Sequence, residues 1–250
     1  TRKTIVHLAC EANNLELLED IFAKHGAKEC LQVRDRVGRS PLYMVVLSGS
    51  MQIFDFFIEK HPEAVRSILL QRNRNCWTHL HCIVDCQRQE MFDRLISTFP
   101  KEMEKLILLS NNNKENPIHL AVAKQQESML RQMLETENGV KALLEPTHKG
   151  TYAMHMAVAL KKNRMVELML QDGKGRNQAT ILLDSDVDSL LHTCAYTFSD
   201  KSKESWTALC IILLSRPEVV TAARKLNSKG FTAVQLATRK NSSMLLREML

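Results

Sequence analysis

The chain has 250 residues, 44% of them hydrophobic and 25% charged, which is the makeup of a folded protein, and no apolar run approaches the ~18 residues of a membrane span. Its formal charge of +6 favours acidic partners, but Lys and Arg are spread out rather than massed into the block that a nucleic-acid surface needs. The seven Cys are an odd count, scattered and often set in apolar runs, as Cys10, Cys194 and Cys210 are; this favours buried, reduced thiols and a reducing compartment, the cytoplasm or the nucleus.

From the N-terminus, one short phrase returns seven times: Thr4-Ile5-Val6-His7, Ser40-Pro41-Leu42-Tyr43, Thr78-His79-Leu80-His81, Asn116-Pro117-Ile118-His119, Tyr152-Ala153-Met154-His155, Ser189-Leu190-Leu191-His192 and Thr232-Ala233-Val234-Gln235. A near-constant period signals stacked supersecondary units, each covering the apolar flank of the next. Ser, Thr or Asn before an apolar run is an N-cap, whose side-chain oxygen accepts an orphan backbone N–H. Pro41 and Pro117 suit the first helical turn, where a missing N–H costs nothing. Helical spacing follows, as in Leu15, Leu17, Leu18 and Ile21 of the first unit or Met165, Val166, Leu168 and Met169 of the fifth.

The second unit opens with Asp35-Arg36-Val37-Gly38-Arg39-Ser40-Pro41-Leu42, and fragments of this opening recur as Gly150 before Tyr152, and as Asn227 and Gly230 before Thr232. A small residue follows the phrase at Ala9, Ala121, Ala157 and Ala237. In these motifs the whole chain resembles the ankyrin repeat family, whose repeat opens with a turn, carries a Thr-Pro-Leu-His-type phrase and continues into two helices. The resemblance implies an all-α repeat solenoid of helix-turn-helix units joined by hairpin-like turns. Residues 1–250 read as a single array of about seven repeats, beginning near 1, 35, 73, 111, 147, 184 and 227. Neither end has the polar face of a capping repeat, so the chain is expected to be a fragment of a longer protein.

Three departures from the family pattern carry expectations. Ala64–Leu70, Met103–Leu109 and Val140–Leu144 lengthen the period and read as an added helical turn with a buried Leu pair. Only 8 Gly are present, so the hairpin tips should be irregular. Ser199–Ser205 is an insertion that reads as a solvated loop.

Chemical constellations were weighed against structural readings. Within Thr78–Cys86, two His, two Cys and an Asp invite a zinc site, with Cys82 and Cys86 on one helix face. However, His81 is the phrase's own His, equivalent to His7, His119, His155 and His192, and the family gives that residue a structural task in the turn region. No metal or other cofactor is therefore expected. Asp172-Gly173-Lys174-Gly175 lacks the spacing of a phosphate loop and reads as a helix end with Gly173 as C-cap. No catalytic set converges, so the chain reads as a non-enzyme. The Met residues, including Met154, Met156, Met165 and Met169, follow the apolar template and read as core.

Repeat phase then locates a binding surface. Hairpin-tip positions are Val37 and Arg39, Asn75 and Trp77, Asn113 and Glu115, Lys149 and Thr151, Asp186 and Asp188, and Lys229 and Phe231. In the family the ends of the first helices face the concave side. That places Glu11, Leu47, Ser48, Asp85, Lys124, Leu160, Lys161, Tyr196, Arg239 and Lys240 along it. Arg39, Trp77, Glu115, Lys124, Tyr196 and Phe231 are the candidate partner-binding residues, since aromatic and Arg side chains are the usual interface anchors. Trp77 has two readings, an anchor or a hairpin packing residue. The expected function is a protein-binding scaffold or adaptor taking a protein or peptide of acidic character. The alternative is a regulatory or tethering segment of a larger membrane channel or enzyme. Oligomeric state is left open by the sequence.

Overall fold

A computed structural model describes residues 3–170, 189–197, 203–215, 224–239 and 246. The Asp172–Gly175 turn, the Asp186 and Asp188 tip, Lys240 and the first part of the insertion, 199–202, lie outside the described residues. The chain divides into two compact units, 1–129 and 130–250. The described residues form helices and no strands.

The first unit runs α1 (Ile5–Glu11), α2 (Leu15–His25) and α3 (Ala27–Gln32), then α4 (Pro41–Ser48), α5 (Met51–Lys60) and α6 (Pro62–Leu69). It continues with α7 (His79–Asp85), α8 (Gln89–Thr98), α9 (Pro100–Leu108) and α10 (Pro117–Lys124). The unit division falls within α11 (Glu127–Leu134). First helices pack in series, α1 on α4, α4 on α7 and α7 on α10; third helices do the same, α3 on α6 and α6 on α9. Because α4 is flanked on both sides, every residue from Pro41 to Val46 is buried. Phe54, Phe57, Phe92 and Phe99 are fully buried between the layers, and Phe22 stacks on Phe57 with centroids 5.4 Å apart. The second unit holds α12 (Glu137–Leu143), α13 (Ala153–Ala159), α14 (Asn163–Leu170), α15 (Leu190–Thr197), α16 (Lys203–Leu214) and α17 (Ala233–Arg239). There α13 packs on α15 and α15 on α17. Met154, Met165 and Met169 are core residues.

Several expectations change. The lengthened segments are separate third helices rather than added turns. Pro62 and Pro100 cause the break: each ends the preceding helix at a non-helical residue, His61 with φ −133° and Phe99 with φ −128°, and starts a new helix at its own first position. The Leu pairs are not buried as pairs, because Leu69 is buried while Leu70 is exposed, and Leu143 is buried while Leu144 is only half-buried. Lys203, Glu204 and Ser205 of the insertion belong to α16 rather than to a loop.

The hairpin tips are also regular, not irregular. Each tip places its fourth residue in the left-handed region: Gly38 (φ 83°), Cys76 (59°), Lys114 (56°), Gly150 (70°) and Gly230 (75°). The links between first and second helices repeat the device at Asn13, Gly49, Gln87, Gln125 and Lys161. Non-glycine residues therefore occupy sites that cost them ~1–2 kcal/mol each, and packing of the flanking helices holds them there.

Gly38 has a second constraint. A Cβ there would stand 3.2 Å from the Arg74 backbone nitrogen and 3.3 Å from the Asn73 Cα, whereas a Cβ at Gly230 meets nothing within 4 Å. Gly38→Ala should therefore lower unfolding free energy by ~2 kcal/mol or more. Gly230→Ala should cost only the backbone part, about half as much, in urea titrations followed by helical circular dichroism.

Candidate functional site

Five residues before each N-cap stands a short polar side chain that builds the hairpin. Asp35 Oδ1 accepts from the backbone N–H of Val37 and of Arg39, both at 2.9 Å. Asn73 Oδ1 does the same for Asn75 and Trp77, Asn111 Oδ1 for Asn113 and Glu115, and Asn227 Oδ1 for Lys229 and Phe231. The backbone closes each loop as well; Asp35 N–H donates to Arg39 O at 3.0 Å and Asn73 N–H to Trp77 O at 2.9 Å. Asn73 and Asn111 stand in phase with Asp35 in the sequence, a signal hidden by the change from Asp to Asn and by the missing Gly. Successive tips of the first unit are bonded together, Arg74 N–H to Val37 O at 2.9 Å and Asn112 N–H to Asn75 O at 3.2 Å.

In α1, α7 and α15 the phrase's His ties the first helix to the following hairpin. His7 Nδ1 lies 2.8 Å from the Thr4 hydroxyl, and its Nε2 lies 2.9 Å from Arg39 O. His81 joins Thr78 and Glu115 O at 2.7 and 3.1 Å, and His192 joins Ser189 and Phe231 O at 2.6 and 2.9 Å. A carbonyl accepts, so Nε2 carries the proton and Nδ1 receives the hydroxyl hydrogen. In the third repeat His79 takes the place that Pro41 and Pro117 hold elsewhere. It is buried between the Ser40 hydroxyl at 2.7 Å and Leu69 O at 3.2 Å. Burial pushes both His79 and His81 down to about 4 from their ordinary 6.5, with the hydrogen bonds to Leu69 O and Glu115 O opposing it.

The six candidate residues fall on these elements. Arg39 directs its guanidinium back to Asp35, with Nε–Oδ2 2.8 Å and a second nitrogen at 2.7 Å. Burial would raise the Asp35 carboxyl, but the bonds from Arg39 and Val37 outweigh it and hold it below its usual value. Glu115 accepts from Asn111 Nδ2 at 2.8 Å. Lys124 pairs with Asp85 at 2.8 Å, joining the ends of α10 and α7. Trp77 is half-buried, its ring 5.8 Å from the His81 ring. Tyr196 and Phe231, both half-buried, come together in the second unit with Lys229, Leu236 and Arg239 around a cleft of about 340 Å³. There Lys229 lies 5.3 Å over the Tyr196 ring and Arg239 lies 5.3 Å over the Phe231 ring.

Further cations lie beside these elements. Arg88 donates to Val46 O and Leu47 O at 3.3 and 3.1 Å, using the space that a Cβ on Gly49 would fill. Arg34, Arg36, Arg72, Arg74 and Lys114 cluster on or beside the three bonded hairpins and have no carboxylate partner among the described residues. Arg34 holds a buried guanidinium nitrogen without a hydrogen-bond partner. The fields of Arg34 and Arg72 reach His79 and His81 respectively.

A pH dependence follows. The unfolded chain binds protons at His79 and His81 as pH falls below 6.5, while the folded chain does not until about 4. Their stabilisation is complete above 6.5 and is lost as pH falls from 6.5 towards 4, on the order of 3 kcal/mol for each ring. Melting temperature should drop accordingly between neutral and acid pH. His79→Pro, restoring the residue found at Pro41 and Pro117, should flatten that profile; an unchanged slope would refute the assignment.

No family model matches the chain, and no curated protein matches it at a significant level. Among solved structures it is similar to the ankyrin repeat domain of Bcl-3, a member of the IkappaB protein family, with a TM-score of 0.66 at 16% identity over 99% of this chain and 98% of that chain. Among the described residues no helix is long and apolar enough to cross a membrane. Repeated caps, bonded hairpins and this structural likeness agree: the chain has the ankyrin repeat fold.

Proposed function

We propose that this chain is a protein-binding module that takes an acidic segment of a partner along the hairpin edge of residues 34–115. The observation that carries the reading is the set of cations on that edge. Arg34, Arg36, Arg72, Arg74 and Lys114 stand on three hairpins held tip to tip, with no carboxylate partner among the described residues. Cations left unpaired on a rigid frame attract anionic partners over a distance and bind carboxylates through charge-assisted hydrogen bonds. The acids native to this edge are already engaged: Asp35 with Arg39, and Glu115 with Asn111.

Trp77 supplies the apolar anchor. Its half-buried ring lies on His81 beside Arg72 and Arg74, so a partner side chain can cover the rest of it. Arg39, Glu115 and Lys124 shape the frame through their pairings rather than meeting the partner with free charge. The Tyr196 and Phe231 cleft, with Lys229 and Arg239 at its walls, gives the second unit a further place for an anionic side chain.

The test uses a fluorescent peptide of alternating Glu and Leu and a neutral peptide of Gln and Leu. The acidic peptide should bind, and binding should weaken as salt rises. Arg36→Glu with Arg74→Glu should weaken it roughly tenfold or more at unchanged helicity. Trp77→Ala should cost a similar factor. Equal binding of the neutral peptide, or preference for a single-stranded oligonucleotide of equal charge, would overturn the proposal.

A further inference from the structure

The described thiols fall into two kinds. Cys10, Cys30, Cys82, Cys194 and Cys210 are buried, and burial pushes Cys10, Cys30 and Cys194 up. Cys76 and Cys86 are half-buried. Cys86 alone of these two faces a second thiol: it stands at the C-cap of α7, and its sulfur lies 4.0 Å from the sulfur of Cys82, one helical turn back. We infer that Cys86 and Cys82 form a hydroperoxide-reactive thiol pair, in which Cys86 is the site of attack and Cys82 closes the product to a disulfide.

The surroundings divide the two roles. The hydrogen bond from Cys82 brings the Cys86 thiol down to about 7, with Arg88 and Lys124 adding to the effect and burial and Asp85 opposing it. The same bond, with burial behind it, pushes the Cys82 thiol up. Near neutral pH a large share of Cys86 is therefore thiolate, the nucleophilic form, while Cys82 keeps its proton. In the first step the Cys86 thiolate attacks one peroxide oxygen. An S–O bond forms, the O–O bond breaks, sulfur is oxidised to the sulfenic acid, and the other oxygen leaves as hydroxide or alkoxide, which takes a proton from solvent to become water or an alcohol. In the second step the Cys82 sulfur attacks the Cys86 sulfur. The S–S bond forms, the S–O bond breaks, and hydroxide leaves with the Cys82 proton as water.

Closure requires a small backbone movement. Cβ atoms one turn apart stand ~5–6 Å from each other, and a disulfide needs ~3.5–4.5 Å. Cys86 is placed to make that movement. It ends the helix, its N–H bonds only to Cys82 O and Val84 O, and Gln87 after it is already left-handed. The bridge would therefore be strained and readily reduced. It would also move the stretch between Asp85, which holds Lys124, and Arg88, which holds Val46 O and Leu47 O.

The experiment exposes the whole chain to hydrogen peroxide with and without dimedone and reads the tryptic peptide 75–88 by mass spectrometry. Cys76 lies in that peptide, so Cys76→Ser is the parent. The parent should lose two hydrogens between Cys82 and Cys86, recover them with dithiothreitol and take up little dimedone. Cys82→Ser should instead accumulate a dimedone adduct on Cys86, with Cys82→Ala as the variant that buries no hydroxyl. Cys86→Ser should give neither product. The rate of attack should rise through a midpoint near pH 7. A dimedone adduct on Cys82, undiminished oxidation in Cys86→Ser, or a parent that never closes to the disulfide would overturn the inference.

Discussion

The imidazole held between one repeat's N-cap and the next repeat's hairpin is the contact on which the rest depends. A helix begins with orphan N–H groups, and the last carbonyl of each of these hairpins, which already accepts one N–H within its own loop, has a second lone pair to offer. One neutral His answers both, receiving the cap hydroxyl's hydrogen at Nδ1 and donating from Nε2 to the carbonyl of Arg39, Glu115 or Phe231. The ring must be neutral to do so. That ties the register of neighbouring repeats to a protonation state, and buries a titratable group where an apolar residue would have served packing alone. His79 adds a third-repeat variation, joining Ser40 to the end of α6 with the same chemistry.

The hairpins show how much a loop can be built without glycine. A side-chain oxygen at Asp35, Asn73, Asn111 or Asn227 takes two backbone N–H groups, so the loop is determined before its fourth residue is chosen. Cys76 and Lys114 then accept a left-handed conformation that Gly38 adopts freely. The same rigidity has a functional side. Tip-to-tip backbone bonds fix the spacing of Arg36, Arg74 and Lys114, so a partner that binds there meets charges already placed.

Charge on this surface is divided between frame and face. Arg39 and Lys124 attracted attention in the sequence as exposed cations, yet each is engaged with a carboxylate of its own repeat or the one before. Arg36, Arg72, Arg74 and Lys114 on the hairpins have no carboxylate partner among the described residues. Sequence phase identifies which positions lie near a tip; it does not say which of two adjacent cations an acid four residues away will capture, because that depends on how the loop folds back.

Much of the architecture was legible in the sequence alone. The seven-fold phrase, its N-caps, the structural part played by its His and the all-helical class all follow from local rules: cap chemistry, helical period and a fixed repeat. Pro62 and Pro100 were equally visible, and their effect on the lengthened segments is local too, so the third helices were within reach of the same rules. Tertiary structure decided the remainder. The burial of Leu69 and Leu143 but not of Leu70, Leu108, Leu109 or Leu144, the left-handed Cys76 and Lys114, the capture of Arg39 by Asp35 and the meeting of Tyr196 with Phe231 across 35 residues of chain all depend on which neighbour the fold supplies. A sequence states what each residue can do; the partners that decide what it does are set by packing between segments far apart in the chain.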